Sequence, residues 1–326
     1  MTPDPLEAVV PTERHGERLD RFLADAAEGA FSRTRIADWV REGLLTVDGE
    51  TVIRPGHRLE AGQFLRLVPP EPEAPEPGSM MEPVVLHEEE TFAVIDKPAG
   101  LPMHGNSPGD PQPSVAHWLR QRWGPDLPIA QGAERPGIVH RLDRGTSGVC
   151  VVAFRTDVFE DLMSQFAERV VEKQYLALCY GRPRFQSDWI ERRLSADPRR
   201  PGLVRATNSS ESGTRDAQTF WEIQEAFDGF ALLRVKPRTG RKHQIRVHLA
   251  DAGLPLIGDP AYRARNHGRG QLPAGCPPVE RTLLHAYRLR FEHPVDGGEV
   301  AFTADLPEPM RAMLRHLREH APAQAD

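Results

Sequence analysis

The sequence predicts an α+β protein in two parts: a small α/β head and a larger body on a mainly antiparallel mixed sheet. Three observations lead there. The stretch from Val68 to Pro83, VPPEPEAPEPGSMMEP, is dense in Pro and Glu and has no apolar period, so it reads as an extended, solvated linker. Beyond it, many strand-like runs follow one another with few helices between them, which favours antiparallel pairing. The regular strand–helix alternation of a doubly wound sheet is missing. At 326 residues the chain suits one large domain or two unequal ones. The expected boundaries are 15–68 for the head, 69–83 for the linker and 84–320 for the body.

In the head, the run from Arg18 to Ala27 sets Leu19, Phe22 and Leu23 on one helical face, and Ser32 is placed to cap a second helix carrying Ile36, Trp39 and Val40. LLTVDGE contains an Asp-Gly turn signal between short strands, and QFLRLV alternates as an edge strand would. In the body, Phe92 to Lys97 reads as a strand, Ser114 to Trp123 as a capped helix and Gly148 to Phe154 as a buried strand. Thr156 is placed to cap a helix with Phe159, Leu162, Met163 and Phe166 at amphipathic spacing. Strands are expected at Lys173 to Tyr180, Ala217 to Gln224, Ala231 to Lys236, Leu284 to Phe291 and Glu299 to Thr303. Thr239 is placed to cap a helix from Gly240 that carries Arg241, Lys242, His243 and Arg246. Cations at a helix N-terminus call for an anion beside them, phosphate or carboxylate.

The N-terminus MTPDPLEAVV has neither a basic start nor a long apolar run, and no apolar stretch is long enough to span a bilayer. A cytoplasmic protein with no membrane partner is expected. Cys150, Cys179 and Cys276 are widely spaced and form no CxxC pair, which argues against a disulfide framework or zinc knuckle and for reduced cysteines. Without long heptads a coiled-coil dimer is not expected, and a monomer is the reading. The formal charge of -6 and pI of about 6.1 argue on their own against a nucleic-acid protein. Distribution reverses the argument. Seven glutamates and no Lys or Arg lie between Glu71 and Glu90, whereas six Lys or Arg and no acid lie between Gly229 and Ala250.

The most informative run is GIVHRLDRGTSGV, residues 137–149, in which Asp143 stands between Arg141 and Arg144. Nearby positive charge stabilises a carboxylate anion, which suits a nucleophile better than a general acid. Gly145 and Gly148 permit a tight loop ahead of the apolar strand. Rival chemistries fit poorly. His140, Asp143 and Ser147 are triad residue types but lie too close in sequence to converge, and there is no GxSxG elbow. A kinase catalytic loop would lack its Gly-rich loop and DFG, and His243 and His248 miss the HExxH spacing of a zinc hydrolase. An Asp that merely caps a turn remains the structural alternative for this run alone.

HRLDRGTSG resembles the hallmark of the RluA-type pseudouridine synthases. The likeness extends in order through EKQYLAL, GRKHQIRVHLADAG, IGDPAY and LLHAYRLRFEHP. The head resembles the S4-like RNA-binding domain in SRTRIADWVREG, the VDG turn and PGHRLEAGQFLRL. With that head, the chain resembles the RluC/RluD-like members of the family, which act on large-subunit ribosomal RNA. The resemblance implies the pseudouridine synthase fold and isomerisation of uridine in RNA, with transfer RNA as the alternative substrate and a non-catalytic ribosome-assembly factor as the alternative function. It implies no cofactor, no small-molecule partner and no metal, since the reaction only exchanges bonds within a nucleotide. Asp143 would be the nucleophile, Tyr175 the ring packed on uracil and a participant in proton transfer, and Arg246 the partner of Asp143. Leu284 would line the base pocket, and Arg141 would fill the gap left by the flipped nucleotide. His140, Arg144, Arg241, Lys242 and His243 would bind substrate, and Ser32, Arg33, Arg35 and Arg41 of the head would face RNA. Arginines between Arg192 and Arg205 are a further candidate track for the RNA backbone. In GRKHQIR, Lys242 replaces the small hydroxyl residue more usual in the family, and LPMHGNSPGD lies where the family loop varies.

Overall fold

The computed structural model describes residues 5–27, 31, 33–69, 81–105, 112–262 and 272–323. The chain divides into two compact units, residues 1–80 with 104–124 and 129–136, and residues 81–103 with 125–128 and 137–326.

The first unit contains β1 (Leu6–Val9), α1 (Leu19–Ala26), α2 (Arg33–Arg41), β2 (Leu45–Val47), β3 (Glu50–Thr51), β4 (Phe64–Leu67) and α3 (Val115–Trp123). Leu19, Phe22 and Leu23 of α1 and Ile36, Trp39 and Val40 of α2 pack on Leu45, Leu65 and Leu67, so both expected helical faces point into one core. Between β2 and β3, Asp48 (φ 50°) and Gly49 (φ 86°) adopt the left-handed pair that a tight hairpin turn needs. The strand order β1-β4-β2-β3 corrects one expectation: β4 is internal, because Leu6 pairs with Leu67 and Val9 with Phe64. A four-residue run with a charged side chain, LEAV, gave too little period to be read as a strand. Ser32 lies outside the described residues. Ser114 caps α3 as expected, its Oγ accepting from the His117 amide at 3.1 Å.

The second unit carries a ten-stranded sheet in the order β10-β9-β11-β12-β8-β13-β7-β6-β5, with β14 paired to β13. Its strands are β5 (Val84–Glu88), β6 (Phe92–Lys97), β7 (Ser147–Ala153), β8 (Glu172–Tyr180), β9 (Ser187–Ala196), β10 (Val204–Thr207), β11 (Arg215–Phe227), β12 (Phe230–Pro237), β13 (Leu284–Glu292) and β14 (Glu299–Thr303). All neighbours are antiparallel except β7 and β13, which run parallel. Helices α4 (Thr156–Glu168), α5 (Gln244–Asp251) and α6 (Glu308–His320) accompany it. The alternation of side chains along β8 decides which helix meets which face. Ala177 and Cys179 share a cluster with Ile245 and Leu249 of α5, while Leu176 and Leu178 meet Met310, Met313, Leu314 and Leu317 of α6.

Two cap predictions fail for local reasons. Arg155, not Thr156, is the N-cap of α4, and no side chain caps it. Helix α5 begins at Gln244 rather than Gly240, after His243 at φ 54°. Thr239 is committed elsewhere: its hydroxyl donates to Gln244 Oε1 at 2.7 Å and accepts from the Gln218 amide at 3.1 Å. Gln244 Oε1 also accepts from the Arg241 amide at 3.0 Å, which holds the turn before the helix. Arg241, Lys242 and His243 therefore occupy that turn. Gly148 (φ 118°) serves the parallel crossing, not the loop: a Cβ there would strike the carbonyl oxygen of Ala286 on β13.

Candidate active site

Asp143 stands in the loop leading into β7, half-buried, with Leu142 buried beside it and Arg141 exposed. The Thr146 amide donates to the Asp143 carbonyl at 3.0 Å, closing a turn. A second turn locks this loop from below. The Gly100 amide donates to the Arg144 carbonyl at 2.8 Å, and Arg144 Nε donates to the Gly100 carbonyl at 2.8 Å. Lys97, fully buried at the end of β6, donates from Nζ to the carbonyls of Pro98 and Leu101 at 2.8 Å and of Arg144 at 3.4 Å. Burial pushes its ammonium down to about 8. Buried polar groups are tolerated when so satisfied.

A cation at the Asp143 carboxylate comes from across the fold. Arg246 of α5 donates from Nη1 to Asp143 Oδ2 at 3.2 Å. Its other edge grips Asp259, with Nε to Oδ2 at 2.7 Å and Nη2 to Oδ1 at 2.9 Å. Asp259 is fully buried and accepts also from the Ala261 and Tyr262 amides, at 2.8 and 3.1 Å. Burial opposes charge on both partners, yet the paired hydrogen bonds outweigh it: Asp259 is held below the usual carboxylate range and Arg246 above its ordinary value. The Tyr262 ring lies 5.0 Å from the Arg246 guanidinium carbon. Its hydroxyl accepts from the Val204 amide at 3.0 Å, so its proton is available to His243 Nδ1 at 2.7 Å. That pairing agrees with a neutral imidazole, which burial favours by lowering the pKa of His243.

Tyr175 of β8 is half-buried against the cluster containing Leu284, Val235 and Ile245. Burial first, then the negative charge of Asp143, raise its phenol above the ordinary value. Leu284, buried, opens β13 opposite Ala177. The fold thus gathers Asp143, Tyr175, Arg246 and Leu284, with His243 close enough to feel Asp143. It turns His140 the other way: Nε2 accepts from the Val151 amide at 3.1 Å and the ring stacks on Phe166 with centroids 4.5 Å apart. Burial pushes that imidazole down to about 3. Arg241 is exposed and donates from Nε to the Asp216 carbonyl at 3.3 Å, and Lys242 is exposed.

Several arginines expected to meet RNA are paired within the chain. Arg41 pairs with Asp38 and Arg33 with Asp20 in the head, while Arg35 stacks over Trp39 at 5.2 Å. In the body, Arg192 pairs with Asp251, Arg193 with Asp216 and Arg200 with Asp197. Asp259, Tyr262 and Lys97 are the residues sequence reading did not single out. The first two lie inside IGDPAY, one of the runs that carry the family resemblance, and that was the signal for them. Among the described residues, no group of three or more His, Cys, Asp or Glu is arranged to hold a metal ion, and Cys150, Cys179 and Cys276 are unbridged.

Residues 91–251 match the family described as RNA pseudouridylate synthase, and residues 17–65 match the S4 domain. A protein of Aquifex aeolicus called an uncharacterized RNA pseudouridine synthase is 36% identical over 95% of this chain and 96% of its own. The chain belongs to the RNA pseudouridine synthase family. As such it is an isomerase that converts uridine in RNA into pseudouridine. Another relative of this synthase, from Xanthomonas campestris pv. campestris, is named ribosomal large subunit pseudouridine synthase D and is 34% identical over 98% of this chain and 95% of its own. The solved structure of human RNA Pseudouridylate Synthase Domain Containing 4 superposes with a TM-score of 0.56 at 25% identity, covering 72% of the synthase and 93% of that chain. No described helix is long and apolar enough to cross a membrane.

Proposed function

We propose that this synthase acts on uridine in large-subunit ribosomal RNA, with Asp143 as its nucleophile. The observation that carries the proposal is the place of the Asp143 carboxylate: half-buried, 3.2 Å from an arginine that Asp259 fixes, and close enough to Tyr175 to perturb its phenol. The reaction breaks the bond from uracil N1 to ribose C1′ and joins C5 to C1′; C5 loses a proton and N1 gains one. A carboxylate that engages the nucleotide covalently divides this into easier steps. Arg246 keeps that carboxylate oriented. Tyr175 offers a flat ring for a flipped base and, with its phenol protonated, a hydroxyl proton to donate. Leu284 supplies the apolar wall. Exposed Arg141, two residues from Asp143, fills the gap in the stack and offsets part of an unstacking cost of a few kcal/mol. Arg144, Arg241, Lys242 and His243 line the approach of the RNA. We assign His140 to positioning the loop, because the Val151 amide and Phe166 engage its ring.

The name of the Xanthomonas relative, similar along nearly the whole chain, supports ribosomal RNA as the substrate. We place the S4-like head at 15–68, the linker at 69–83 and the catalytic domain at 84–320. A single chain supplies Asp143, Tyr175, Arg246 and Asp259, which supports a working monomer; the reaction exchanges bonds within one nucleotide and so calls for no cofactor, and the substrate implies the cytoplasm. The test is pseudouridine mapping on ribosomal and transfer RNA transcripts treated with the protein or with Asp143→Ala. New pseudouridine in ribosomal RNA with the unaltered protein alone is the expected result. Modification confined to transfer RNA would overturn the substrate, and modification by the variant would overturn the nucleophile.

A further inference from the structure

Four strands in the order β10-β9-β11-β12 form one end of the large sheet, and its two faces differ there. Ile190 of β9 and Trp221 of β11 point into the cluster with Ile245 and Leu249 of α5, on the side of Tyr175. Side chains alternate along a strand, so their neighbours Trp189 and Phe220 project from the opposite face. Trp189 is 47% exposed and Phe220 half-buried. The register sets Phe220 between Trp189 on one side and Lys236 of β12 on the other. The two rings lie 5.3 Å apart at 54°, and Lys236 Nζ lies 5.8 Å from the centre of the Phe220 ring. Helix α6 packs on Phe230 and Leu232, at the other end of β12 on the same face, and leaves Trp189 open.

A cross-strand aromatic pair holds a sheet together by leaving water, which a half-exposed Trp does only in part. Tilted, open rings beside a cation suit another partner. Bases stack on exposed aromatic rings whatever their sequence, and cations alongside take the phosphates. Four-stranded sheets bind single-stranded RNA in this way, with aromatic rings on the open face stacking two or three bases. Here the rings stand on β9 and β11, the two inner strands of the four. Charge points the same way. Among the described residues, this face of the four strands carries Arg193, Arg205, Arg234 and Lys236 against Glu191, Asp216 and Glu222, four cations to three acids in a chain of net charge -6. Glu222 alone serves both Arg234 and Lys236, at 3.5 and 3.6 Å.

We propose that Trp189, Phe220 and Lys236 form a stacking platform for a single-stranded stretch of RNA that flanks the modified site, on the face of the sheet opposite α5. The assignment rests on RNA being the substrate of the family. It is independent of the nucleophile and of which RNA is modified.

The loss of a ring, with apolar bulk retained, separates stacking from general stickiness. Full-length protein is titrated into a short fluorescently labelled oligoadenylate, which offers bases to stack and no uridine to modify, and binding is read by anisotropy over a series of salt concentrations. Melting curves and sedimentation of each variant accompany the titrations. Trp189→Leu is expected to weaken binding about tenfold and Phe220→Leu about fivefold, while Trp189→Phe, which keeps a ring, retains most of the affinity. Lys236→Ala is expected to make the salt slope shallower by about 0.7, the contribution of one phosphate on a single strand. Oligoadenylate is also expected to quench tryptophan fluorescence in the unaltered protein and much less in Trp189→Leu, a difference that a purely structural Trp189 would not produce. Where Phe220→Leu unfolds the sheet, Trp189→Leu decides, since its side chain is the exposed one. Binding and quenching by Trp189→Leu equal to those of the unaltered protein, or no binding of oligoadenylate by the unaltered protein, overturns the platform. Self-association of the unaltered protein that Trp189→Leu abolishes also overturns it, and assigns the face to a second copy of the chain.

Discussion

Replacing Asp259 by Asn tests whether the catalytic carboxylate is held in place from behind. Both carboxylate oxygens are saturated by donors: Oδ2 by Arg246 Nε, and Oδ1 by Arg246 Nη2 and the amides of Ala261 and Tyr262. An Asn must therefore point an NH2 group at one of these donors and lose its charge beside a buried guanidinium. Removing one member of a buried ion pair costs about 3 to 5 kcal/mol; Asp143, still 3.2 Å away, tempers this, so a loss near the lower figure, about 3 kcal/mol, is expected. Asp143 then becomes the main anchor of Arg246, and both groups shift. Misplacement by about 1 Å can cost on the order of 100-fold. Tritium release from RNA carrying 5-tritiated uridine measures turnover directly, because C5 must lose its hydrogen. The expected result is a kcat lowered by about 100-fold with little change in KM, since Asp259 touches no substrate. Turnover and melting temperature both equal to those of the unaltered enzyme would refute the reasoning.

Other perturbations probe different links. Lys97→Met should leave the carbonyls of Pro98 and Leu101 without their buried donor, at about 1 to 3 kcal/mol for each unsatisfied group; a melting temperature that does not fall would contradict the role given to Lys97. Gly148→Ala should prevent close approach of β7 and β13, so soluble protein with unchanged stability would sink that account. His140, His248 and His285 are pushed by burial to about 3, 4 and 4. Because their folded values lie below the unfolded one, their contribution is complete above about pH 6.5 and is lost as pH falls toward those values. One pH unit below 6.5, each costs about 1.4 kcal/mol, and chemical unfolding near pH 5.5 should show a marked loss relative to pH 7.5. Equal stability at both would refute their neutral burial. Tyr175, with its phenol held protonated, should give a kcat profile without a tyrosinate limb up to about pH 10. An ionisation below that value that disappears in Tyr175→Phe would show the opposite.

Period and motif made much of this protein legible before any coordinate. The apolar run in FAVIDK, the spacing of Leu19, Phe22 and Leu23, and the Asp48-Gly49 turn each report a local preference, and each element formed where it was expected. HRLDRGTSG pointed to Asp143 because its residue types recur with four other motifs in a fixed order. Where local signals were weak, reading failed. β1 is four residues long, β9 carries charges on both sides of its alternation, and Thr239 was spent on Gln218 and Gln244 instead of capping a helix at Gly240.

The identity of the site residues was therefore written in the sequence, but their partners were not. Sequence placed Arg141 and Arg144 beside Asp143; the fold exposes the first, bonds the second to Gly100 and brings Arg246 to the carboxylate. It also hid Asp259 at the centre of the arrangement and turned His140 into the β7 side of the loop. The physical reason is that charge pairing in a shielded cleft depends on distance and burial, which only the docking of α5 on the sheet sets, whereas helices, strands and turns are fixed by neighbours along the chain.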